Sequence, residues 1–372
     1  MKFILVCSGT AGHINPALAI ASALRARYPQ SQFLFIGAGR ELENKLVPRA
    51  GFELINIKMS GLQRSISLKN IARNAKTVRN LISASNEAGQ IISSFKPNAV
   101  IGTGGYVCYP VLKNAARARI PSYIHESNAE PGLATKLLSG VVDNVFTSFP
   151  GTHRRYRSPD RVLFTGTPVR EEFRQAAEDA RQKAGRPLVV SFWGSLGAEL
   201  MNGFMAEFIK LNIENDCFDH IHAAGGKNGV SYIYERLDRL GYSGELPPGV
   251  QLREYIDDMP TIMAAADLVL SRAGGSTIGE LIALGKPAVL APSPYVTNNQ
   301  QVKNAAQISN SGGAMIIQEK DCTGALLYKT VTMLLNDKNR LKLMSDSMKN
   351  LSDGCAELKI ADIICKRVGT TG

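Results

Sequence analysis

The chain has 372 residues, which is enough for about two domains. Apolar residues make up 44% and charged residues 20%, so the chain can bury real cores, which excludes a disordered or fibrous protein. The formal net charge of +11 favours anionic partners such as nucleotide phosphates, lipid headgroups or nucleic acid.

The first half of the chain alternates apolar runs with glycine-rich turns. Phe3–Cys7 predicts a buried parallel strand, a glycine turn follows it, and Ala17–Ala26 predicts a helix that starts at Pro16. Further strands are predicted at residues 32–36, 98–101, 120–124 and 162–164. Two of these strands run into polar or glycine-rich segments, at Gly102–Gly105 and His125–Asn128.

The second half repeats this order. Strands are predicted at residues 188–192, 267–270 and 286–290, and glycine-rich turns follow the first two. Alternating strands and helices predict an α/β protein with two Rossmann-like parallel sheets, divided into domains 1–166 and 167–345. Ligands of such sheets bind beyond the carboxyl ends of the strands, so we expect the glycine turns of both domains to face one cleft.

The six cysteines form no Cys-x-x-Cys pair and have no histidine at a zinc-site spacing. We therefore expect reduced thiols in a cytoplasmic protein. No apolar run reaches the roughly 18–20 residues that span a bilayer. Met1–Cys7 is too short an apolar start for a signal peptide.

Two glycine turns are candidate anion sites. Gly9–Gly12 brings backbone N–H groups to the start of a helix, which suits a phosphate but also a simple tight bend. Ala273–Thr277 also precedes a helix, and Glu280, in or just beyond its first turn, can accept from two ribose hydroxyls. The same carboxylate would also stabilise a helix N-terminus.

Several motifs occur in a fixed order along the chain, which identifies a protein family far more specifically than any single loop does. Gly102–Val107, His125–Asn128 and Pro131–Ala134 resemble the MurG glycosyltransferase family, and so do residues 166–170, 194–198, 256–259, 271–274 and 299–301. The resemblance implies a GT-B fold, with two Rossmann-like domains. It implies inverting transfer of N-acetylglucosamine from its UDP donor to the undecaprenyl-diphospho-muramoyl-pentapeptide lipid of peptidoglycan synthesis.

The same resemblance implies the partners and the site. The first domain would meet the lipid at the cytoplasmic face of the membrane, the second would bind UDP-N-acetylglucosamine, and residues 346–372 would pack back on the first. The implied partners also include the anionic inner membrane surface and other cell-wall synthesis proteins, but no nucleic acid. The implied donor-binding residues are Thr10, Ala11, Gly12, Asn128, Arg170, Ser195, Ile256, Gly275, Ser276, Thr277, Ile278, Gly279, Glu280, Gln300 and Gln301, and the implied acceptor or diphosphate residues are Gly104, Gly105, Tyr106 and His125.

Two residues are candidates for the catalytic base. His13 follows the first glycine turn, and an imidazole titrates near neutral pH, which suits a general base. Glu126 is the alternative candidate. A histidine there would also serve merely to pack on the following helix. The chain contains no Asp-x-Asp motif, so we expect neither an essential metal nor a cofactor. Helix N-termini and Arg170 would then stabilise the leaving diphosphate.

Residues 67–82 form a basic amphipathic pattern without an acid, which suits either an anionic membrane surface or packing on the sheet. Five positions depart from the family pattern: Ser8, Ala11, Ser127, Thr167 and Trp193. Two alternatives follow from them, a paralogue that glycosylates another lipid and a non-catalytic subunit that binds a UDP-sugar. The presence of His13, Glu280 and Gln300 together argues against the non-catalytic subunit.

Overall fold

A computed structural model describes residues 1–59, 68–179, 185–194, 197–226 and 228–369, except for the side chains of residues 68–79. The chain forms two compact units, Met1–Arg170 with Cys355–Gly372, and Glu171–Gly354. The second unit extends beyond residue 345, the predicted end of that domain. The reason is a helix at Lys338–Leu351 that continues past residue 345, where the fully buried Met348 packs against Gly313 of the same unit.

The first unit is a parallel sheet with helices on both faces. Its strands run in the order β3-β2-β1-β4-β5-β6-β7. The strands are β1 (Lys2–Cys7), β2 (Gln32–Gly37), β3 (Glu53–Asn56), β4 (Ala99–Gly104), β5 (Ser122–Glu126), β6 (Asn144–Thr147) and β7 (Val162–Phe164), and the helices between them are α1 (Ala11–Arg27), α2 (Glu41–Arg49), α3 (Leu68–Phe95), α4 (Cys108–Arg117) and α5 (Leu133–Leu138).

β1 is apolar from Phe3 to Cys7 because both faces of the sheet are covered. Phe3 and Leu5 belong to a core that includes residues of α1, whereas Ile4 and Val6 pack in a second core with residues of α4. Successive side chains of a strand point to opposite faces, so a strand at the centre of such a sheet needs apolar residues at every position.

The second unit repeats the architecture with strand order β10-β9-β8-β11-β12-β13, again all parallel. Its strands are β8 (Leu188–Phe192), β9 (Asp219–Ala223), β10 (Val250–Arg253), β11 (Leu268–Ser271), β12 (Ala288–Leu290) and β13 (Ala314–Ile316). Its helices are α6 (Glu171–Asp179), α7 (Glu199–Asn215), α8 (Gly229–Arg239), α9 (Met259–Ala265), α10 (Gly275–Leu284), α11 (Gln300–Asn310), α12 (Gly324–Asn336) and α13 (Lys338–Leu351).

The last helix, α14 (Ala356–Gly369), belongs to the first unit. It packs on α1, where Ile360 and Ile364 are fully buried in the same core as Phe3. At the edge of this contact, Nε of Arg27 donates to Asp362 at 2.8 Å. Among the described residues, the helices lack the combination of length and apolar character needed to cross a membrane.

Candidate active site

The carboxyl ends of β1, β4 and β5 contribute the candidate residues of the first unit. β4 pairs with both β1 and β5, so the segments that follow these strands emerge at one edge of the sheet. His13 follows β1 in the first turn of α1, Gly104 ends β4, and Glu126 ends β5.

The half-buried His13 ring is oriented by backbone groups. Its Nδ1 lies 2.9 Å from the carbonyl oxygen of Ser8, and since a carbonyl only accepts, Nδ1 carries a proton; in the neutral imidazole the lone pair is then on Nε2. Gly104, with φ 129°, lies beneath the ring, and a Cβ there would come within 2.6 Å of Nε2. A side chain at Gly104 would therefore displace the imidazole.

Gly105 and Thr103 also help to position His13. Gly105 has φ 91°, and a Cβ there would come within 2.5 Å of Oγ of Ser8. Thr103 Oγ1 donates to the backbone carbonyl of His13 at 2.6 Å. The paired glycines at the end of β4 thus allow β1 and its turn to approach closely.

The helix that carries His13 starts earlier than the sequence predicts. α1 begins at Ala11, so Pro16 lies inside it rather than at its start. Proline has no N–H to donate to the carbonyl of Gly12, four residues before it. Oγ of Ser127 donates to this oxygen instead, at 3.3 Å. A hydrogen bond from the residue that follows β5 therefore satisfies the carbonyl oxygen that Pro16 leaves without a helical donor.

Glu126 is held by donors from its own loop. One carboxylate oxygen accepts from the backbone N–H and the side-chain amide of Asn128, at 3.1 and 2.9 Å. The other accepts from the N–H of Gly132 at 2.9 Å and from the hydroxyl of Thr135 at 2.8 Å. With both oxygens engaged and only 5% of the residue exposed, this carboxylate fixes the loop after β5.

His125 is fully buried, so it can shape the site but cannot meet a ligand directly. Its Nε2 donates to the carbonyl of Gly166 at 3.1 Å, and its Nδ1 lies 3.4 Å from Oγ of Ser127. Burial is the main reason that its pKa falls to about 4, so the ring is neutral near neutral pH.

The remaining candidate residues of the first unit lie at the start of α1, after β4, after β5 and at the end of the unit. Thr10 is the N-cap of α1 but makes no side-chain capping bond, and no acid occupies the first turn of the helix. Tyr106 is 42% exposed. The half-buried candidates of this unit are Ala11, Gly12, Asn128 and Arg170.

The N-terminus of α10 is the main candidate site of the second unit. Gly274 is its N-cap, the helix has no side-chain cap, and the first turn carries no acid. Glu280 is the sixth residue of the helix and therefore lies in its second turn, where it is half-buried. Ser276 and Thr277 are also half-buried, whereas Gly275, Ile278 and Gly279 are buried.

Two glutamines begin α11. Gln301 accepts the backbone N–H of Ser293 at 2.8 Å through its side-chain oxygen, so it fixes the loop after β12. Gln300 is half-buried and follows two residues with left-handed backbones, Asn298 and Asn299. Ile256 is buried after β10. Ser195 lies outside the described residues.

Two glycine turns meet beside the undescribed residues 195–196. Gly197 follows β8 and Gly225 follows β9, with φ angles of 71° and 67°. A Cβ on Gly225 would come within 2.6 Å of the Cα of Gly197, so neither turn has room for a side chain. Gly197 is thus required by backbone packing within this unit, whereas Gly194 has open space around it and is favoured by its φ of 97°.

Sequence reasoning missed several residues that hold the candidate loops. Arg272 forms a buried ion pair with Glu319 and donates to the carbonyl of Ala291 at 2.9 Å, which ties the end of β11 to the end of β12. The buried Asn304 donates to the carbonyl of Ala273 at 3.2 Å. Arg272 lies within the 271–274 motif, but neither it nor Asn304 has a spacing that reveals these bonds, so only the tertiary structure identifies what they hold together.

No group of three or more His, Cys, Asp or Glu residues in the described part of the chain could hold a metal ion.

Family models match most of the chain. Residues 3–147 match the glycosyltransferase family 28 N-terminal domain, and residues 188–359 match the C-terminal domain of the same family. A relative from Acetivibrio thermocellus, named UDP-N-acetylglucosamine--N-acetylmuramyl-(pentapeptide) pyrophosphoryl-undecaprenol N-acetylglucosamine transferase, is 43% identical over 98% of this chain and 97% of its own length. The chain belongs to the MurG family.

Further similarities agree with this family. A relative of the same name from Caldanaerobacter subterraneus is 39% identical over 98% of this chain and 99% of its own. The crystal structure of MurG from Acinetobacter baumannii superimposes with a TM-score of 0.76 at 25% identity, covering 98% of this chain and all (100%) of that one. The predicted α/β architecture with the GT-B fold is therefore confirmed.

Proposed function

We propose that this MurG-family chain transfers N-acetylglucosamine from UDP-N-acetylglucosamine to the undecaprenyl-diphospho-muramoyl-pentapeptide lipid in peptidoglycan synthesis, with inversion at the anomeric carbon. Similarity to the named transferases over nearly the whole chain supports this reaction. The geometric observation that carries it is the bond from His13 Nδ1 to Ser8, because it leaves the lone pair on Nε2.

His13 is the proposed base. Its Nε2 accepts the proton of the acceptor hydroxyl while the oxygen bonds to the anomeric carbon and the bond to the UDP oxygen breaks. Glu126 is a poorer candidate since four hydrogen bonds already engage both of its oxygens. We assign Glu126 the role of holding the loop after β5, which would border the acceptor.

The second unit would bind the donor. The N-terminus of α10, which begins after a glycine and has no acid in its first turn, supports an anionic ligand, and the carboxylate of Glu280 one turn later would accept from the ribose hydroxyls. Gln300 and Gln301 would meet sugar hydroxyls, the latter through the amide N–H that remains after its oxygen binds Ser293. Arg170 would bind the diphosphate through parallel hydrogen bonds.

We place the protein on the cytoplasmic face of the cell membrane as a peripheral protein. The net charge of +11 supports attraction to anionic lipid, and so does the basic amphipathic pattern of residues 67–82 in the sequence. Sedimentation with vesicles tests this placement. We expect binding to vesicles with anionic lipid, weaker binding at high salt, and little binding to zwitterionic vesicles.

A transfer assay tests the reaction. The full chain is incubated with labelled UDP-N-acetylglucosamine and the muramoyl lipid, and with other undecaprenyl lipids as controls. Label in the muramoyl lipid alone is the expected result. Transfer to another lipid would identify a paralogue, and UDP-sugar binding without transfer to any lipid would identify a non-catalytic subunit; either result contradicts the proposal.

A further inference from the structure

The peptide group between Ser8 and Gly9 is hydrogen-bonded on both sides. Its carbonyl oxygen lies 2.9 Å from Nδ1 of His13, and its N–H donates to Oε2 of Glu43 at 2.7 Å. The C=O and N–H of a trans peptide point in opposite directions, and the described chain contains no cis peptide. A single peptide plane therefore connects the Glu43 carboxylate to the His13 imidazole.

Burial and hydrogen bonds from neighbouring backbone groups fix the position of the Glu43 carboxylate. It is fully buried, and its other oxygen accepts from the backbone N–H groups of Ala38 at 2.5 Å and Arg40 at 3.0 Å. Gly37 leaves room for the carboxylate, since a Cβ there would come within 2.9 Å of Oε1. As the third residue of α2, Glu43 caps its own helix while it reaches the turn after β1.

We propose that Glu43 is a positioning residue for His13, acting through the Ser8–Gly9 peptide. The inference rests on the proposed role of His13 as the base. The carboxylate accepts the Gly9 N–H and polarises the peptide, which makes the Ser8 oxygen a stronger acceptor for Nδ1–H. This bond keeps the lone pair on Nε2 and stabilises the imidazolium that forms when Nε2 takes the hydroxyl proton. Glu43 itself takes no proton.

The kinetic test compares two variants on α2. Glu43→Gln keeps the shape but removes the charge, and an amide also has fewer acceptors for the backbone N–H groups. We expect kcat to fall about tenfold, a fraction of the loss expected for the base itself, with an unchanged KM for UDP-N-acetylglucosamine. Glu41→Gln makes the same charge change at an exposed position of the same helix and is expected to leave both values unchanged.

A spectroscopic test detects the hydrogen bonds of His13 and Gly9 without depending on activity. Nitrogen-15 NMR of the full chain is expected to show His13 protonated at Nδ1 and the Gly9 amide proton shifted downfield by its carboxylate acceptor. In Glu43→Gln we expect a mixture of His13 tautomers and loss of the downfield Gly9 shift. In Glu41→Gln we expect the same His13 tautomer and Gly9 shift as in the wild type.

The outcomes separate this inference from the proposed function. A folded Glu43→Gln variant with normal kcat and an unchanged His13 tautomer would overturn the positioning role. If that variant does not fold, the wild-type spectrum decides, because an Nε2-protonated His13 or an ordinary Gly9 amide shift excludes the connection. Normal kcat in His13→Ala would instead overturn the proposed base.

Discussion

Ser127 Oγ donates to the carbonyl oxygen of Gly12 at 3.3 Å, across 115 residues of sequence. The acceptor is the one that Pro16 leaves without a helical donor, because proline has no N–H. The same hydroxyl lies 3.4 Å from Nδ1 of His125. One buried side chain, on the residue that follows β5, therefore bonds to the start of α1, which carries His13.

Ser127→Ala is expected to lower the free energy of unfolding by about 1–3 kcal/mol, since it leaves the Gly12 carbonyl without its donor. Urea unfolding measures the change. Ser94→Ala is the matched control, because the Ser94 hydroxyl bonds only a local carbonyl at an exposed position. Equal stability of the two variants would mean that the long-range bond contributes little.

His13→Ala is expected to lower kcat by about 10²–10⁴-fold, the usual loss for a general base, with little change in UDP affinity. The rate should also lose its decline at acidic pH, because no imidazole remains at this position to become protonated. Steady-state kinetics across pH measures both effects.

Glu126→Gln serves as the comparison for His13→Ala. We expect a smaller loss of kcat but a lower free energy of unfolding, because an amide cannot accept all four hydrogen bonds of the carboxylate. A larger kcat loss in Glu126→Gln, with the acidic limb of His13→Ala intact, would make Glu126 the base.

Glu280→Ala is expected to weaken UDP binding by about 1–3 kcal/mol, through loss of a charge-assisted bond to the ribose. Titration calorimetry on the full chain measures the affinity. Glu235→Ala removes an exposed carboxylate from α8 of the same unit and should leave the affinity unchanged. Unchanged affinity in a folded Glu280→Ala variant would contradict the donor assignment.

Turnover is expected to continue in the presence of EDTA, because the chain has no Asp-x-Asp motif to hold a metal with the diphosphate. The measurement is the transfer rate with chelator, then with added Mg²⁺ or Mn²⁺. Activity that disappears with EDTA and returns with either ion would contradict a metal-independent reaction.

Stability is expected to fall as the pH is lowered from about 6.5 towards 4, the ordinary histidine pKa marking the upper limit. Burial lowers the pKa of His125 to about 4 and that of His222 to about 3, so the unfolded chain binds more protons in this interval. Proton uptake therefore favours unfolding. Urea unfolding at several pH values measures the slope.

His222→Asn should make this pH dependence shallower, because it removes one of the buried imidazoles. His153→Asn, at an exposed position, is the matched control and should leave the slope unchanged. Identical slopes in wild type and His222→Asn would show that this ring contributes nothing to acid sensitivity.

Sequence patterns predicted strands that are continuous apolar runs, at the centre of a sheet or at its edge, and missed β9, which is not such a run. The predicted strands at residues 162–164 and 188–192 coincide with β7 and β8. β9 was missed because Asp219, His220 and His222 break its apolar run. The two buried histidines are tolerated there since Ser191 on β8 lies 2.7 Å from a nitrogen of each.

The sequence by itself determined the α/β class, the family and the turns that carry the candidate residues, because buried parallel strands and glycine turns leave local patterns. Only the tertiary structure decided what each side chain does. It engaged both oxygens of Glu126 within its loop, buried His125, and brought Glu43 to the turn beside His13. These bonds join residues far apart in the chain, so the order of strands in the sheet determines them and local sequence does not record it.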